Sequence, residues 1–260
     1  MNLLKLGIAA RASAYIVQSI IEGSRRIMKK AITAFLLFDI IAGMLFLGVY
    51  GLRSQAVAAD SGLVRMVEGG GGVPVDVKKI AITFDDGPHP RYTEQLLDGL
   101  KERGVVATFF VTGEHAELHP EIIERMIQEG HLVGNHTYSH IQLTKVNREV
   151  FKEELIKTNE ILKNITGQEV QYVRPPYGSW DKSFEKELNM FPVLWTVDPL
   201  DWCSKNVDCI VEKIVNKVEE NDIILMHDYY DTSVTAALKA IDELLEEGYT
   251  FVTVEEILFE

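Results

Sequence analysis

The chain is short of positive charge. Its 26 Lys and Arg stand against 39 Asp and Glu, a formal net charge of −13. The deficit is uneven. Residues 1–58 hold seven basic residues (Lys5, Arg11, Arg25, Arg26, Lys29, Lys30, Arg53) against Glu22 and Asp39, so the remainder carries 19 basic and 37 acidic residues. A domain of that charge repels a phosphate backbone, which excludes nucleic acid as a partner. The chain also lacks a Gly-rich phosphate loop of the Walker or dinucleotide type, and it has no internal repeat. Cysteine is scarce: Cys203 and Cys209, six apart, allow one local disulfide, with two free buried thiols as the alternative. Apolar residues are not scarce. At 47% hydrophobic and 25% charged, 260 residues suit one sizeable globular domain with an appendage.

The appendage is N-terminal. Arg25, Arg26, Lys29 and Lys30 precede a 22-residue apolar run from Ala31 to Leu52, and about 20 such residues span a bilayer. Asp39 interrupts the run at a cost of roughly 2.5–3.5 kcal/mol, and the Leu, Ile, Phe and Val of the run return about 0.3–0.6 kcal/mol each, so insertion is favoured. The basic cluster stays cytoplasmic, which sends the acidic domain outside. Ala56-Val57-Ala58 fits a small-residue cleavage site, so a secreted form is the alternative to an anchored one. Met28 reads as a second possible start. The expected division is a basic segment over 1–30, a signal anchor over 31–52, a linker over 53–77 containing Gly69 to Gly72, and a catalytic domain over 78–260.

From residue 79 strand-like and helical stretches alternate. Strands are expected at 79–84, 107–112, 131–135, 171–174, 192–197, 222–226 and 249–253. Helices are expected at 92–103, 120–129, 148–165, 180–189, 207–219 and 233–247. Asn147 is the expected N-cap of the third, and Gly167 lies just past its end. Alternation of this kind implies an α/β fold with a parallel sheet covered by helices. A β/α barrel of about seven strands fits, with an open doubly wound sheet as the rival.

In such folds the site forms at the C-terminal ends of the strands. Polar residues gather there after five strands: Asp85-Asp86, His136-Thr137-Tyr138-Ser139-His140, Arg174-Pro175-Pro176-Tyr177-Gly178, Asp198-Pro199-Leu200-Asp201-Trp202 and Leu225-Met226-His227-Asp228. Two adjacent carboxylates at the end of a buried strand repel unless something compensates them. A helix cap with a turn would explain the pair alone. His136 and His140, spaced i,i+4, suggest a sharper account, because that spacing puts both imidazoles on one face of a helical turn. With one aspartate they make a two-His, one-Asp set suited to zinc or a similar divalent ion. Three protein ligands leave a position open for water, and the second aspartate is then free to take a proton from it.

The set TFDDGP, HTYSH, RPPYG, DPLDW and LMH resembles the polysaccharide deacetylase family, carbohydrate esterase family four, over about residues 78–258. The resemblance implies a distorted β/α barrel, one divalent metal, usually zinc, and hydrolysis of N-acetyl or O-acetyl groups on sugar polymers. It makes Asp85 the base and Asp86, His136 and His140 the metal ligands. Arg174 would orient Asp85, and the backbone N–H of Tyr177 would serve the oxyanion. His227 would be the general acid, paired with Asp201. Trp202 and Leu225 would wall a small pocket for the acetyl methyl. An amide must expel a poorly leaving amine, so a well-placed acid such as His227 favours N-deacetylation over ester hydrolysis.

The expected activity is therefore removal of N-acetyl groups from N-acetylglucosamine in a cell-wall glycan. Peptidoglycan is favoured because an anchor holds the domain near membrane and wall. An O-acetyl esterase on a xylan-type glycan is the alternative. A non-catalytic wall-binding protein is a third reading, whose signature would be loss of Asp85 or of a ligand, and none is lost. His89, His115, His119 and His131 read as loop or helix-edge residues, and Trp180 and Trp195 as packing. Tyr229 and Tyr230 are candidates for stacking on a sugar ring.

Overall fold

The computed structural model describes residues 77–259. The expected basic segment, apolar run, cleavage site and all but the last residue of the linker lie outside them. Among the described residues no helix is long and apolar enough to cross a membrane.

Seven strands form: β1 (Lys78–Asp85), β2 (Thr108–Val111), β3 (Leu132–Asn135), β4 (Tyr172–Val173), β5 (Phe191–Pro192), β6 (Ile223–His227) and β7 (Tyr249–Phe251). Every strand pairing is parallel. The order is β5-β4-β3-β2-β1-β6, with β7 on the first half of β1. The first five strands sit side by side in chain order, without the reversal that defines a doubly wound sheet. A parallel bridge from Val197 to Ile224 then joins the chain after β5 to β6, so the two edges of the path meet.

The seam at β5 is irregular. The expected strand at 192–197 is regular only over Phe191–Pro192. The Val193 N–H still bonds the Val173 carbonyl. The carbonyls of Val193 and Leu194, however, accept from the Arg174 guanidinium at 3.1 and 3.2 Å instead of extending a ladder.

Strand periodicity sorts the core into two layers. Ile80, Ile82 and Phe84 of β1, Phe109 and Val111 of β2, and Ile224 and Met226 of β6 join the cluster shared with the covering helices. Ala81, Phe110, Tyr172, Val193 and Ile223 form a separate interior cluster. Thr83 and Asp85 share the inward parity of Ala81, and Leu225 and His227 share that of Ile223. Gly134 belongs to this interior, where an added Cβ would meet the Phe110 ring at 2.5 Å.

The helices are α1 (Tyr92–Arg103), α2 (Gly113–Leu118), α3 (Pro120–Gln128), α4 (Arg148–Thr166), α5 (Ser183–Leu188), α6 (Val207–Val215), α7 (Asp231–Glu246) and α8 (Val254–Phe259). Asn147 caps α4, its side chain accepting from the Val150 N–H at 2.9 Å, and Gly167 ends it at φ 72°. The expected helix at 180–189 shrinks to α5, and the one at 207–219 stops at Val215. α2 and α8 were not expected. Each is six residues long, too short to show a periodic stripe.

Candidate active site

The inward parity of β1 and β6 brings Asp85 and His227 to the same rim, as neighbours in register. The loops after β3, β4 and β5 complete a cleft of about 550 Å³. Its lining includes Asp85, Asp86, His136, His140, Tyr177, Trp202, Leu225 and His227. Arg174 and Asp201 stand behind that lining, 0% and 1% exposed. The structure thus gathers all ten predicted site residues at one place.

Asp86, His136 and His140 offer one oxygen and two nitrogens, all within 4.8 Å of one another. Asp86 Oδ1 lies 3.5 Å from His136 Nε2 and 3.4 Å from His140 Nε2. That oxygen is buried and has no hydrogen-bond partner. His136 Nδ1 meets the Arg174 carbonyl at 2.6 Å. A carbonyl only accepts, so Nδ1 carries the proton and Nε2 presents its lone pair to the cluster. An orphaned carboxylate oxygen facing imidazole nitrogens fits a divalent cation. Burial would raise the Asp86 pKa, but the His136 contact and the charges of His136, His140 and His227 outweigh it and pull it down to about 2. Burial, joined by the charge of His136, pushes His140 below the ordinary imidazole value.

The two histidines do not share a helical turn, contrary to the expectation from their spacing. Residues 136–140 are a loop, with Thr137 at φ 63° and His140 at φ 55°. Asn135 Oδ1 accepts from the Thr137 N–H at 2.7 Å, and Glu154 accepts from the Ser139 N–H at 2.7 Å. These bonds take up backbone donors that a helix would have used internally, and the rings still come to 4.9 Å between centroids. Left-handed backbone marks the whole rim: Asp86, Thr137, His140, Tyr177 and Leu200 are five of the seven non-glycine residues with positive φ among the described residues. Such conformations are uncommon for bulky side chains and concentrate at functional sites.

Asp85, 3% exposed, accepts from Arg174 Nη1 at 2.9 Å. Arg174 also donates to Thr83 and lies 4.2 Å from the centre of the Phe110 ring. Burial pushes its pKa down, and Asp85 opposes the shift. Across the rim, Asp201 receives the His227 Nδ1–H and the His227 backbone N–H, both at 2.9 Å. Burial would lower the His227 pKa, but the hydrogen bond and charge of Asp201, with the charges of Asp85 and Asp86, raise it to about 9. Asp85 therefore stands beside a ligand set that could hold a cation, and its register neighbour His227 is held protonated.

Sequence reading missed several supports. Asp228 is fully buried and accepts from Thr93, which in turn accepts from the His89 N–H at 2.7 Å. Burial pushes Asp228 up to about 7. Its carboxyl fills the space beside Gly87, where an added Cβ would fall 2.3 Å from Oδ2. His115, read as a loop residue, donates from Nδ1 to the Asp86 carbonyl at 2.7 Å. His89 caps the start of α1, its Nδ1 accepting from Arg91 and Tyr92. His131, read the same way, is buried with Nδ1 accepting from the Ala107 N–H. Trp195 lines the cleft rather than only packing, whereas Trp180 packs on Phe184 as expected. The adjacency of Asp228 to His227 was the one available signal for Asp228. Both cysteines are free thiols, but not buried ones: Cys203 is exposed and Cys209 half-buried.

The chain is similar to known deacetylases. The family model for polysaccharide deacetylase matches residues 72–193. The peptidoglycan-N-acetylmuramic acid deacetylase PdaC of Bacillus subtilis is 41% identical over 180 residues, 69% of this chain and 38% of that protein. The chain thus spans well under half the length of PdaC. A peptidoglycan-N-acetylglucosamine deacetylase of Bacillus cereus is 40% identical over 187 residues, 69% of this chain and 68% of the relative. The solved PdaC structure superposes with a TM-score of 0.68 at 40% identity, covering 71% of this chain and 92% of that one. A CE4 family pseudoenzyme from Bacillus anthracis superposes at 0.65 with 27% identity, covering 70% of this chain and 66% of the other. With similarity this extensive, the chain belongs to the polysaccharide deacetylase family.

Proposed function

We propose that this protein is a metal-dependent polysaccharide N-deacetylase. It hydrolyses the N-acetyl groups of N-acetylglucosamine residues in a cell-wall glycan, with peptidoglycan as the substrate of first choice. One observation carries this reading: a base-competent carboxylate, Asp85, and a protonated His227, neighbours in register, line one cleft with Asp86, His136 and His140. A pseudoenzyme with the same fold shows that fold alone does not imply activity, so the argument rests on these side chains.

Asp86, His136 and His140 would hold the ion, zinc by the donor set. Bound there, it supplies Lewis acidity toward the acetyl carbonyl. Asp85, oriented by Arg174, takes a proton from the attacking water. The Tyr177 backbone N–H donates to the carbonyl oxygen as negative charge builds on it. His227, kept protonated by Asp201, gives its proton to the leaving nitrogen. Water is consumed, the C–N bond breaks, and acetate and a free amine leave. Trp202 and the buried Leu225 wall the space for the acetyl methyl.

We also propose that residues 31–52 anchor the protein in the membrane with the catalytic domain outside, or that cleavage near Ala58 releases it. The apolar run and its basic flank support this.

The test is acetate release by the full chain from peptidoglycan and from N-acetylglucosamine oligomers, with zinc and with chelator. Release that requires metal establishes the enzyme. Tight metal binding without release from either glycan overturns N-deacetylation, and acetylated xylan then tests the esterase alternative.

A further inference from the structure

An aromatic group at the cleft rim takes no part in the reaction described above. Tyr230 lines the same cleft as Asp85, His140 and His227 and is 44% exposed. Tyr229 meets its ring edge-on, with centroids 6.0 Å apart at 77°. Tyr229 is itself stacked on His115 at 5.4 Å and 23°, and meets His89 edge-on at 5.0 Å. Both histidines are pinned. His115 donates to the Asp86 carbonyl, and His89 caps α1 while stacking on Tyr92 at 4.4 Å. The exposed Tyr230 ring therefore stands on a braced base that is tied to the turn bearing Asp86.

We infer that Tyr230, backed by Tyr229 and His115, is a stacking platform for a second pyranose ring of the glycan, the neighbour of the sugar whose acetyl group enters the cleft. This rests on reading the cleft as the site for an N-acetylated sugar. A pyranose carries its hydroxyls around the edge and C–H groups on its faces. A C–H face packs against a tyrosine ring while the hydroxyls stay in water, a contact suited to a side chain that is apolar on its face and polar at its tip. Tyrosine also presents a large rigid area with few rotatable bonds, and bracing lowers the ordering cost further. Tyr230 lies three residues beyond His227. A polymer seated with one sugar in the cleft must carry its next sugar over the rim, and this rim is aromatic.

The test is calorimetric binding of an N-acetylglucosamine pentamer to the full chain and to Tyr230→Ala and Tyr230→Phe, with steady-state acetate release from the same pentamer. Tyr230→Ala is expected to weaken binding about five- to tenfold, as loss of one aromatic contact implies. In turnover the loss should fall on KM rather than kcat, and Tyr230→Phe should keep binding within about twofold, because the ring face is retained. Urea midpoints of the variants exclude misfolding as the cause. Wild-type binding in Tyr230→Ala overturns the platform, as does a loss in Tyr230→Phe equal to that in Tyr230→Ala. Pentamer binding that depends on the Tyr230 ring without any acetate release keeps the platform and overturns the deacetylase reading. Acetate release with unaltered Tyr230→Ala kinetics does the reverse.

Discussion

His140 and His227 stand at one cleft and are tuned in opposite directions. His140 is pushed below its ordinary value by burial and by the neighbouring His136. His227 is also buried, yet its bond to Asp201 raises it to about 9. Burial acts alike on both, so the difference lies in the partners. An imidazole that faces a second imidazole along with a carboxylate, as His140 faces His136 and Asp86, stays neutral and offers a lone pair. One facing a carboxylate whose two oxygens both bond to the same residue stays charged and offers a proton. The aspartates divide similarly. Asp86 turns an unpartnered oxygen toward the cation site, and Asp85 is held by Arg174. A single cleft can thus present ligands for a cation and hold a proton.

The comparison can be broken most severely at Asp85. Asp85→Asn should lower acetate release by about 10²–10⁴-fold. Metal content measured by atomic emission should stay near that of the wild type, whereas His140→Ala should lose metal and activity together. Metal loss in Asp85→Asn would place that carboxylate on the wrong side of the division. Next in size is Arg174→Met, which leaves Asp85 buried without its partner. It should cost about 3–5 kcal/mol in urea unfolding, and a loss below 1 kcal/mol would show that the pair does not hold the interior together.

A smaller effect sharpens the other half. Asp201→Asn should let the His227 pKa fall from about 9 toward 6.5, moving the alkaline limb of kcat/KM to lower pH. The rate near pH 8 should drop by up to about thirtyfold, as the protonated fraction falls. A limb that stays in place would remove His227 from the acid role. The same group bears on stability. Its pKa is higher in the fold than in the unfolded chain, so its contribution is complete below about 6.5 and is lost as pH rises through about 9. Urea midpoints across that window should decline in the wild type and decline less in Asp201→Asn. Trp202→Ala should have the smallest effect, since that side chain is 55% exposed. A few-fold rise in KM with kcat retained is expected from loss of one wall.

Much of this was legible because the chemistry sits on short segments in fixed positions. The segments bearing Asp85-Asp86, the two histidines after β3, Arg174, Asp201 and His227 follow from the alternation of strands and helices and from the rule that parallel strands carry their site at their C-terminal ends, and the family resemblance supplies the role of each. The helical turn for His136 and His140 was misjudged because side-chain caps from Asn135 and Glu154 replaced the backbone bonds on which the spacing argument depended. The strand expected at 192–197 is regular only at its start for a related reason, since the guanidinium of Arg174, just past β4, takes the carbonyls of Val193 and Leu194.

The alternation of strands and helices and the residue types gathered at the strand ends are written in the chain itself. Both depend on local periodicity and side-chain chemistry. The packing of distant segments decides that Asp228 lies beneath Gly87, that His115 braces the Asp86 carbonyl, that Tyr229 stands on two histidines and meets Tyr230, and that one histidine of the cleft is held neutral and another charged. Those facts depend on residues distant in the chain: 141 positions separate Asp86 from His227. Burial and partner identity set a pKa, and neither is written in the neighbourhood of a single residue.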